Sequence, residues 1–290
     1  MSKRSLFSLA FFLGACGDNT EGNTPDAKEA DAPVDSGPLA VDIPFLAQIA
    51  GVDFACGQTY DNVGSTDATY KGTDFRLYLH DIRLLSDTGE TAVELTPSDF
   101  QSDGIVLLDF ENGGAGCDMG TTGTNTKITG TVAPGQYNKL AFKVGVPFDK
   151  NHLDATTAAA PLNVPAMYWA WSSGYKFVKI DGTVNNAGFN LHVGSTGCGV
   201  TGPTPPTSPC TSPNTFDVEL DFLLGAGFIA IDTAPVLSDV DVSVNTPQTA
   251  PGCMSFPGDA ECNTIFPKLG LPYGANAAAT QQLFTVQVPI

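Results

Sequence analysis

Short runs of β-forming residues, each ended by Gly, Pro, Asn or Asp, recur along the chain from Val41 onward. The runs are VDIPFLAQIAG, FRLYLHDIRLL, GIVLLDF, KITGTVAPGQYNKLAFKVGV, YKFVKIDGTV, FNLHVG, TFDVELDFLL, GFIAIDTAPVL, VDVSV and QLFTVQV. Runs of this length, bounded by turn residues, are typical of β-strands. Long amphipathic helical patterns are scarce, so these runs restrict the chain to a fold made almost entirely of strands.

We therefore predict an all-β fold, a sandwich-like antiparallel β domain over residues 41–290 with long loops and few short helices. The Pro-Gly pair in TVAPGQYNKLAF predicts a hairpin between the two strands beside it. One short helix is expected near PSDFQS and another within PGDAECNTIFPKLGL.

The N-terminal sequence MSKRSLFSLAFFLGACGD combines a basic start, a short apolar run and LGAC, which ends at Cys16. This order resembles a bacterial lipoprotein signal, and an ordinary secretory signal is the alternative. We expect residues 1–15 to be the signal peptide and Cys16 to be acylated, so that lipid alone anchors the protein to a membrane. Gly17 follows where an Asp would favour retention in the inner membrane, so an outer-membrane lipoprotein facing the periplasm or the cell surface is predicted.

The next stretch, residues 16–40, is acidic, contains proline and has almost no large apolar side chain. Such a segment buries too little surface to fold, and we predict a disordered tether.

Six cysteines remain after Cys16, an even number that suggests three disulfides in an exported protein. Sequence alone allows 15 connectivities. Short loops favour pairing within 253–262 and within 198–210, and leave the remaining two cysteines for each other. A cysteine-ligated metal site is the rival interpretation, although no pair has C-x-x-C spacing. The six are Cys56, Cys117, Cys198, Cys210, Cys253 and Cys262.

The chain is strongly acidic, with 31 Asp and Glu against 13 Lys and Arg and a net charge of −18. Without a basic surface to neutralise phosphates, nucleic-acid binding is not expected. The motifs of metalloproteases, serine hydrolases, P-loop proteins and dinucleotide-binding enzymes are missing. We therefore do not expect an enzyme.

Both tryptophans of the chain, Trp169 and Trp171, lie in PAMYWAWSSGYKF. If this stretch is a strand interrupted at SSG, Met167 shares one face with them. Such a stripe also suits plain core packing. An alternative function follows from the same residues: a surface binding module, such as an adhesin or glycan binder, that uses Tyr168, Trp169 and Trp171 as a stacking face.

Only three histidines occur, and each is a candidate metal ligand because neutral imidazole binds metals well. His80 lies within a predicted strand, and His152 lies in the polar turn of FDKNHLD. In FNLHVG, strand alternation turns His192 away from its apolar neighbours. Two or three histidines with a thioether such as Met167 would suit copper. Spacing alone does not show that they converge.

Several segments occur together in one order: FRLYLHDIRLL, VLLDFENGGAGC, FKVGVPFDKNHLD, PLNVPAMYWAWSSGYKFVKIDG, FNLHVGSTGC and GCMSFPGDAECNTIFPKLGL. This pattern resembles the MbnP-like family, the four-Cys proteins of bacterial "metallo-mystery pairs". The resemblance extends from about Val41 to Ile290, and MYWAWSSGYKF followed by HVGSTGC is its most specific part.

The resemblance implies an exported copper-binding protein that acts in copper acquisition, storage or homeostasis. It implies a partner, a dihaem cytochrome-c-peroxidase-like protein of the MbnH type, that oxidises a tryptophan of the copper protein to kynurenine. The kynurenine and histidine then bind copper, expected as Cu(I). The cysteines look structural.

Carried over to this chain, the resemblance makes Trp171 or Trp169 the modified residue, with a slight preference for Trp171. His192 and His152 are the stronger ligand candidates. His80 is weaker because family members often have a small polar residue at that strand position. Met167 is expected to be either an axial thioether ligand or a packing residue.

Overall fold

The computed structural model describes residues 37–117, 120–170, 172–200 and 204–288. The predicted signal peptide, Cys16 with most of the tether, and Trp171 lie outside the described residues. No helix among the described residues is both long and apolar enough to cross a lipid bilayer.

The described chain consists mainly of strands, which confirms the predicted all-β class. Three short α-helices accompany them, α1 (Phe148–Asn151), α2 (Ala234–Leu237) and α3 (Cys262–Lys268), and Pro165–Met167 forms a 3-10 turn. The strands are β1 (Leu39–Ile49), β2 (Val52–Asp53), β3 (Thr59–Val63), β4 (Ala68–Ser86), β5 (Gly89–Ala92), β6 (Glu94–Leu95), β7 (Gln101–Ser102), β8 (Ile105–Asp109), β9 (Lys127–Val132), β10 (Lys139–Val144), β11 (Tyr168–Ala170), β12 (Gly174–Val184), β13 (Ala187–Gly188), β14 (Asn190–Gly194), β15 (Phe216–Asp221), β16 (Phe228–Asp232), β17 (Gly252–Cys253) and β18 (Phe284–Gln287).

The strands form two sheets. The smaller has the order β18-β16-β1-β9-β6, with β2 beside β1. The larger has the order β15-β10-β4-β12-β14-β17, and shorter strands pair with β4, β8 and β12 at its margins. The pairing is antiparallel, as predicted, except between β1 and β16 and between β14 and β17, which run parallel.

The main core lies between the two sheets. Phe45 of β1 meets Phe142 of β10 with ring centroids 6.1 Å apart, and Phe142 meets Phe284 of β18 at 5.2 Å. These edge-to-face contacts join the sheets in the manner of a β-sandwich.

The hairpin predicted at Pro134–Gly135 is wrong. β9 pairs with β1 and β6 in the smaller sheet, whereas β10 pairs with β4 and β15 in the larger one. Residues 133–138 therefore carry the chain from one sheet to the other. The physical reason is that β9 and β10 bury their apolar sides in the same core from opposite sheets, as Ile128 and Phe142 do.

The second expected helix is confirmed as α3. Two smaller predictions are wrong, one for VDVSV and one for PSDFQS. VDVSV contains turns instead of a strand. PSDFQS is a tight turn, because the hydroxyl of Ser98 accepts the backbone N–H groups of Phe100 and Gln101 at 3.2 Å each.

The larger sheet is buried on its second face as well. Along β4, Phe75 and Leu77 point into the core between the sheets, whereas Arg76 and Tyr78 point to the other side. Loops that include residues 147–167 cover this second face, and the Tyr78 hydroxyl donates to the backbone oxygen of Pro161 at 2.9 Å. An apolar group there, which we call the outer cluster, consists of Tyr78, Ile105, Leu107, Val146, Ala155, Leu162, Met167, Tyr175 and Phe177.

Candidate metal centre

The stretch with the tryptophans forms a short β-hairpin over the second face of the larger sheet. β11 pairs with the start of β12, so that Tyr168 lies opposite Tyr175 and Ala170 opposite Gly174. At Gly174 φ is +75°, and an added Cβ would lie 2.4 Å from the backbone oxygen of Asn151. Both the conformation and the lack of space require glycine at this end of the hairpin.

Met167 and Trp169 do not share a face, contrary to the prediction from strand alternation. Pro165–Met167 is a 3-10 turn, so alternation begins only at Tyr168. Met167 is fully buried in the outer cluster, and Tyr168 packs on the same cluster with its ring 5.0 Å from that of Tyr175. This packing assigns Met167 to the core.

Tyr168 and Trp169 therefore lie in different surroundings. Trp169 turns away from the outer cluster and contacts His192 and Phe256. The described residues therefore do not form the stacking face of Tyr168 and Trp169 on which the adhesin or glycan-binder interpretation depended.

Trp169 lies beside His192. Their ring centroids are 6.1 Å apart, and the ring of Phe256 is 5.8 Å from Trp169 on another side. An added Cβ at Gly194 would come within 2.4 Å of the indole, so a residue without a side chain is needed there. The indole is partly buried, which leaves part of it open to the surface.

His192 has one engaged ring nitrogen and one that is buried without a hydrogen bond. Its Nε2 lies 2.5 Å from Oδ1 of Asp181. Burial alone would raise the pKa of Asp181, but the hydrogen bond from His192 and the charge of Lys179 outweigh it and lower that pKa. An ionised Asp181 accepts the proton of Nε2–H, so the lone pair of neutral His192 is on Nδ1.

This Nδ1 atom is buried, and within the described part of the chain it has no hydrogen-bond partner. Burial lowers the pKa of His192 despite the opposing effect of Asp181. The ring is therefore neutral at neutral pH. A buried, uncharged imidazole nitrogen with a lone pair and a fixed tautomer is what a metal ligand requires.

A buried network of charges holds Asp181 in place. Lys179 lies between two carboxylates, 2.6 Å from Asp181 and in contact with Asp74. Arg76 completes the network by donating to Asp74 through both Nε and Nη2. All these residues except Asp181 are at most 5% exposed, so the network belongs to the interior of the protein.

The loop after β17 supports the same region. The hydroxyl of Ser255 donates to the backbone oxygen of His192 at 2.8 Å and accepts the N–H of Gly194 at 3.1 Å. The disulfide Cys253–Cys262 ties the start of this loop to α3. The loop thereby fixes both β14 and Phe256, which covers the indole.

His152 follows α1 and is only 6% exposed, although its neighbour Leu153 is 45% exposed. Its Nε2 lies 3.3 Å from Nδ2 of Asn151 and 3.7 Å from Sγ of Cys210. Because Oδ1 of Asn151 accepts the N–H of Tyr175 at 2.9 Å, its Nδ2 is the donor toward His152. The same Nδ2 is 3.2 Å from the hydroxyl of Ser195, three residues after His192. Asn151 thus links His152 to the strand end that carries His192.

His80 lies elsewhere on the larger sheet. It is half-buried in β4, where its Nδ1 is 3.0 Å from the backbone oxygen of Gly145. Burial lowers the pKa of His80. Its neighbours in the sheet are Lys143 and Ile105, and the structure does not bring it to Trp169.

All six described cysteines are paired, and the pairing favoured by short loops is confirmed. The disulfides are Cys56–Cys117, Cys198–Cys210 and Cys253–Cys262. Among the described residues, two groups of possible ligand atoms occur, and the atoms within each group lie within 4.8 Å of one another. They are His152 with Cys198 and Cys210, and Glu111 with Cys56 and Cys117. Because the cysteines in both groups are disulfide-bonded, they offer no thiolate to a metal.

Sequence reasoning missed the residues that support His192. Asp181, Lys179, Asp74 and Arg76 belong to strands that were predicted, but their charges were not connected with His192. The sequence did contain an indication of these buried charges. In DFRLYLHD and FVKID, charged residues alternate with large apolar ones, and such apolar strands are typical of a sheet that is covered on both faces.

The free energy of unfolding is expected to depend on pH through Asp109, which ends β8 on the same buried face. Burial raises the pKa of Asp109 from 3.8 to about 7. Because the folded pKa of Asp109 lies above its unfolded value, the contribution of Asp109 to stability is fully present below about pH 4 and is lost as pH rises through about 7. At ~1.4 kcal/mol per pKa unit, this contribution falls by up to about 4 kcal/mol between pH 4 and 8. Replacing Asp109 by asparagine is expected to remove this fall. Urea unfolding of both proteins across that range measures it, and parallel stability curves would contradict it.

Comparison with known proteins gives two matches. The model of the MbnP family matches residues 38–255. The solved structure described as "MbnP from Methylosinus trichosporium" is similar in fold, with a TM-score of 0.77 and 30% sequence identity. The similarity covers 87% of this chain and 99% of that one. A search of curated proteins finds no match.

Proposed function

This chain belongs to the MbnP family, and from this premise we propose that it is an exported copper-binding protein. In this proposal Cu(I) is held by histidine and by a kynurenine made from Trp169 or Trp171. A dihaem, cytochrome-c-peroxidase-like partner of the MbnH type oxidises the tryptophan. This chain is then the substrate of that reaction and not an enzyme, and it acts in copper acquisition, storage or homeostasis.

The observation that carries the proposal is the buried Nδ1 of His192 beside the indole of Trp169. A buried polar atom without a partner is costly, and a bound ligand removes that cost. Imidazole nitrogen is a ligand that suits copper. The hydrogen bond from Nε2 to Asp181 is the usual supporting contact of a metal-bound histidine, since it fixes the tautomer and the ring orientation.

The chemistry of the modification fits this position. Indole offers no good ligand atom, because the lone pair of its nitrogen belongs to the aromatic ring. Kynurenine instead carries an aryl amine and a ketone oxygen, both of which can bind a metal. Trp169 is the candidate that the described residues support, since its ring is 6.1 Å from that of His192. Trp171, two residues further along, remains the other candidate.

His152 is the second proposed ligand. It is buried close to the hairpin, and Asn151 connects it to the strand end that carries His192. In neutral His152 the donor Nδ2 of Asn151 favours the tautomer with its lone pair on Nε2, and a metal bound at this atom would take the place of that hydrogen bond. His80 and Met167 are left out of the proposed ligand set, because His80 lies beside Lys143 and Ile105 in the larger sheet and Met167 packs in the outer cluster.

Access by a partner is compatible with the surroundings of Trp169. The indole is only partly buried, and the neighbouring Phe256 is 47% exposed. An oxidising haem protein therefore has a surface near the indole on which to approach. We further propose that lipid on Cys16 anchors the protein in the outer membrane, facing the periplasm or the cell surface.

The modification is tested by producing the full chain with and without the dihaem partner and mapping its peptides by mass spectrometry. We expect a mass change equal to the exchange of one carbon atom for oxygen, on one tryptophan and only with the partner. Phe256, an exposed aromatic residue beside the indole, serves as the control position that keeps its mass. Unchanged tryptophans after coproduction with an active partner would contradict the proposal.

A further inference from the structure

A cavity of about 740 Å³ opens on the second face of the larger sheet. Its floor contains Arg76 and Asp109, which are 1% and 3% exposed. Phe100, Leu107 and Val164 supply apolar walls. A concave, mainly apolar space with a few polar groups at its base is the usual form of a small-molecule site.

The cavity lies at the end of a row of polar residues that crosses four neighbouring strands. Asp109 of β8 is opposite Arg76 of β4, Arg76 is opposite Lys179 of β12, and Lys179 is opposite His192 of β14. His192 stands at one end of this row and Asp109 at the other. The cavity is therefore a second site on the face, separate from the candidate metal centre.

The charged side chains in this row and beside it carry unequal numbers of negative and positive charges. Four carboxylates take part, and they are Asp74, Asp109, Glu111 and Asp181. Three basic side chains accompany them, Arg76, Lys176 and Lys179. Once Asp109 is ionised, above about pH 7, the group is one positive charge short, because His192 is neutral.

Asp109 is the carboxylate that lacks a positively charged partner. Asp74 is paired with both Arg76 and Lys179, and Asp181 is paired with Lys179 and His192. Asp109 has a hydrogen bond from the N–H of Glu111 at 3.0 Å but no ion pair within the described residues. Asp109 instead lines the cavity, beside Arg76.

We propose that this cavity binds a small organic cation, with an ammonium or amidinium group on Asp109 and an apolar body against Phe100, Leu107 and Val164. Such a ligand supplies the one positive charge that the buried group lacks. Phe100 offers an aromatic ring to the cation as well. An anion is disfavoured, since Glu111 lies nearby, Asp99 is at the rim and the whole chain carries a net charge of −18.

Binding of a cation competes with protonation of Asp109. Burial raises the pKa of this carboxyl to about 7, with Arg76 acting in the opposite direction and Asp74 and Glu111 adding to the rise. A cation must displace the proton below that pH, so affinity falls about tenfold for each pH unit. This pH dependence distinguishes binding at Asp109 from adsorption to the apolar walls.

The probes are benzylamine, benzyl alcohol and benzoate, which share a similar body and differ in charge. Calorimetry and ligand-observed NMR on the intact chain at pH 8 are expected to show binding of benzylamine only, weaker at pH 6. Asp109→Asn keeps the hydrogen bond from Glu111 and is expected to reduce benzylamine affinity at least tenfold. Asp99→Asn, at the exposed rim, is the matched control and is expected to change affinity less than threefold.

Several results overturn the proposal. Failure of benzylamine to bind at millimolar concentration to the folded protein is one. Equal binding of all three probes, or unchanged affinity in Asp109→Asn, is another, since either places the ligand away from the carboxylate. The proposal does not depend on copper, so these outcomes leave the proposed function untouched.

Discussion

Replacing His192 by glutamine is expected to abolish most of the Cu(I) binding of the modified protein. Glutamine reaches about as far as Nε2, so its amide keeps the hydrogen bond to Asp181, while the nitrogen at the position of Nδ1 is lost. Loss of a supporting contact alone typically lowers metal affinity about 10–100-fold. Loss of the ligand atom itself is expected to cost more than that.

His80→Gln is the matched control, because His80 is half-buried in a strand and bonds to Gly145 away from Trp169. Competition with a chromogenic Cu(I) chelator measures both affinities, and circular dichroism checks that both variants fold. If His192→Gln and His80→Gln lowered the affinity equally, Nδ1 of His192 would not be the ligand.

Replacing Asp74 by asparagine is expected to destabilise the protein by about 3–5 kcal/mol. Asp74 is 2% exposed and pairs with both Arg76 and Lys179, so its removal leaves two buried cations without their shared carboxylate. The cost arises mainly from Arg76, which loses its ion pair while buried, whereas Lys179 keeps its pair with Asp181. Urea unfolding at neutral pH measures the change from the transition midpoint and slope.

Asp217→Asn provides the comparison for Asp74→Asn. Asp217 also pairs with a lysine on a neighbouring strand, Lys143, but its side chain is 72% exposed. Exposed ion pairs contribute about 0–1 kcal/mol, so little change in stability is expected. Equal effects of the two substitutions would mean that the buried network does not stabilise the fold.

Local patterns in the sequence predicted much of the fold. β1, β4, β12 and β14 fall where runs of β-formers end at turn residues, because strand formation depends on neighbouring residues. Short loop lengths predicted Cys198–Cys210 and Cys253–Cys262, and Cys56–Cys117 followed because only these two cysteines were left. The turn at Pro134–Gly135 was misinterpreted as a hairpin, since a local turn does not determine which sheet the next strand joins.

The candidate site was harder to predict because it depends on strand register. FNLHVG shows that His192 points away from the main core, but not that Asp181 lies beside it. That contact needs the pairing of β14 with β12, which no local pattern specifies. Met167 was assigned to the face of Trp169 because a continuous strand was assumed, and the 3-10 turn at Pro165–Met167 breaks the alternation.

The central claim is that copper binding requires the oxidised tryptophan. Native mass spectrometry of the chain produced with its dihaem partner tests this most directly, because each molecule reports its modification and its copper content together. After addition of limiting Cu(I), we predict one copper on the chains whose tryptophan has been converted, and none on unconverted chains in the same sample. Equal copper on converted and unconverted chains would contradict the claim.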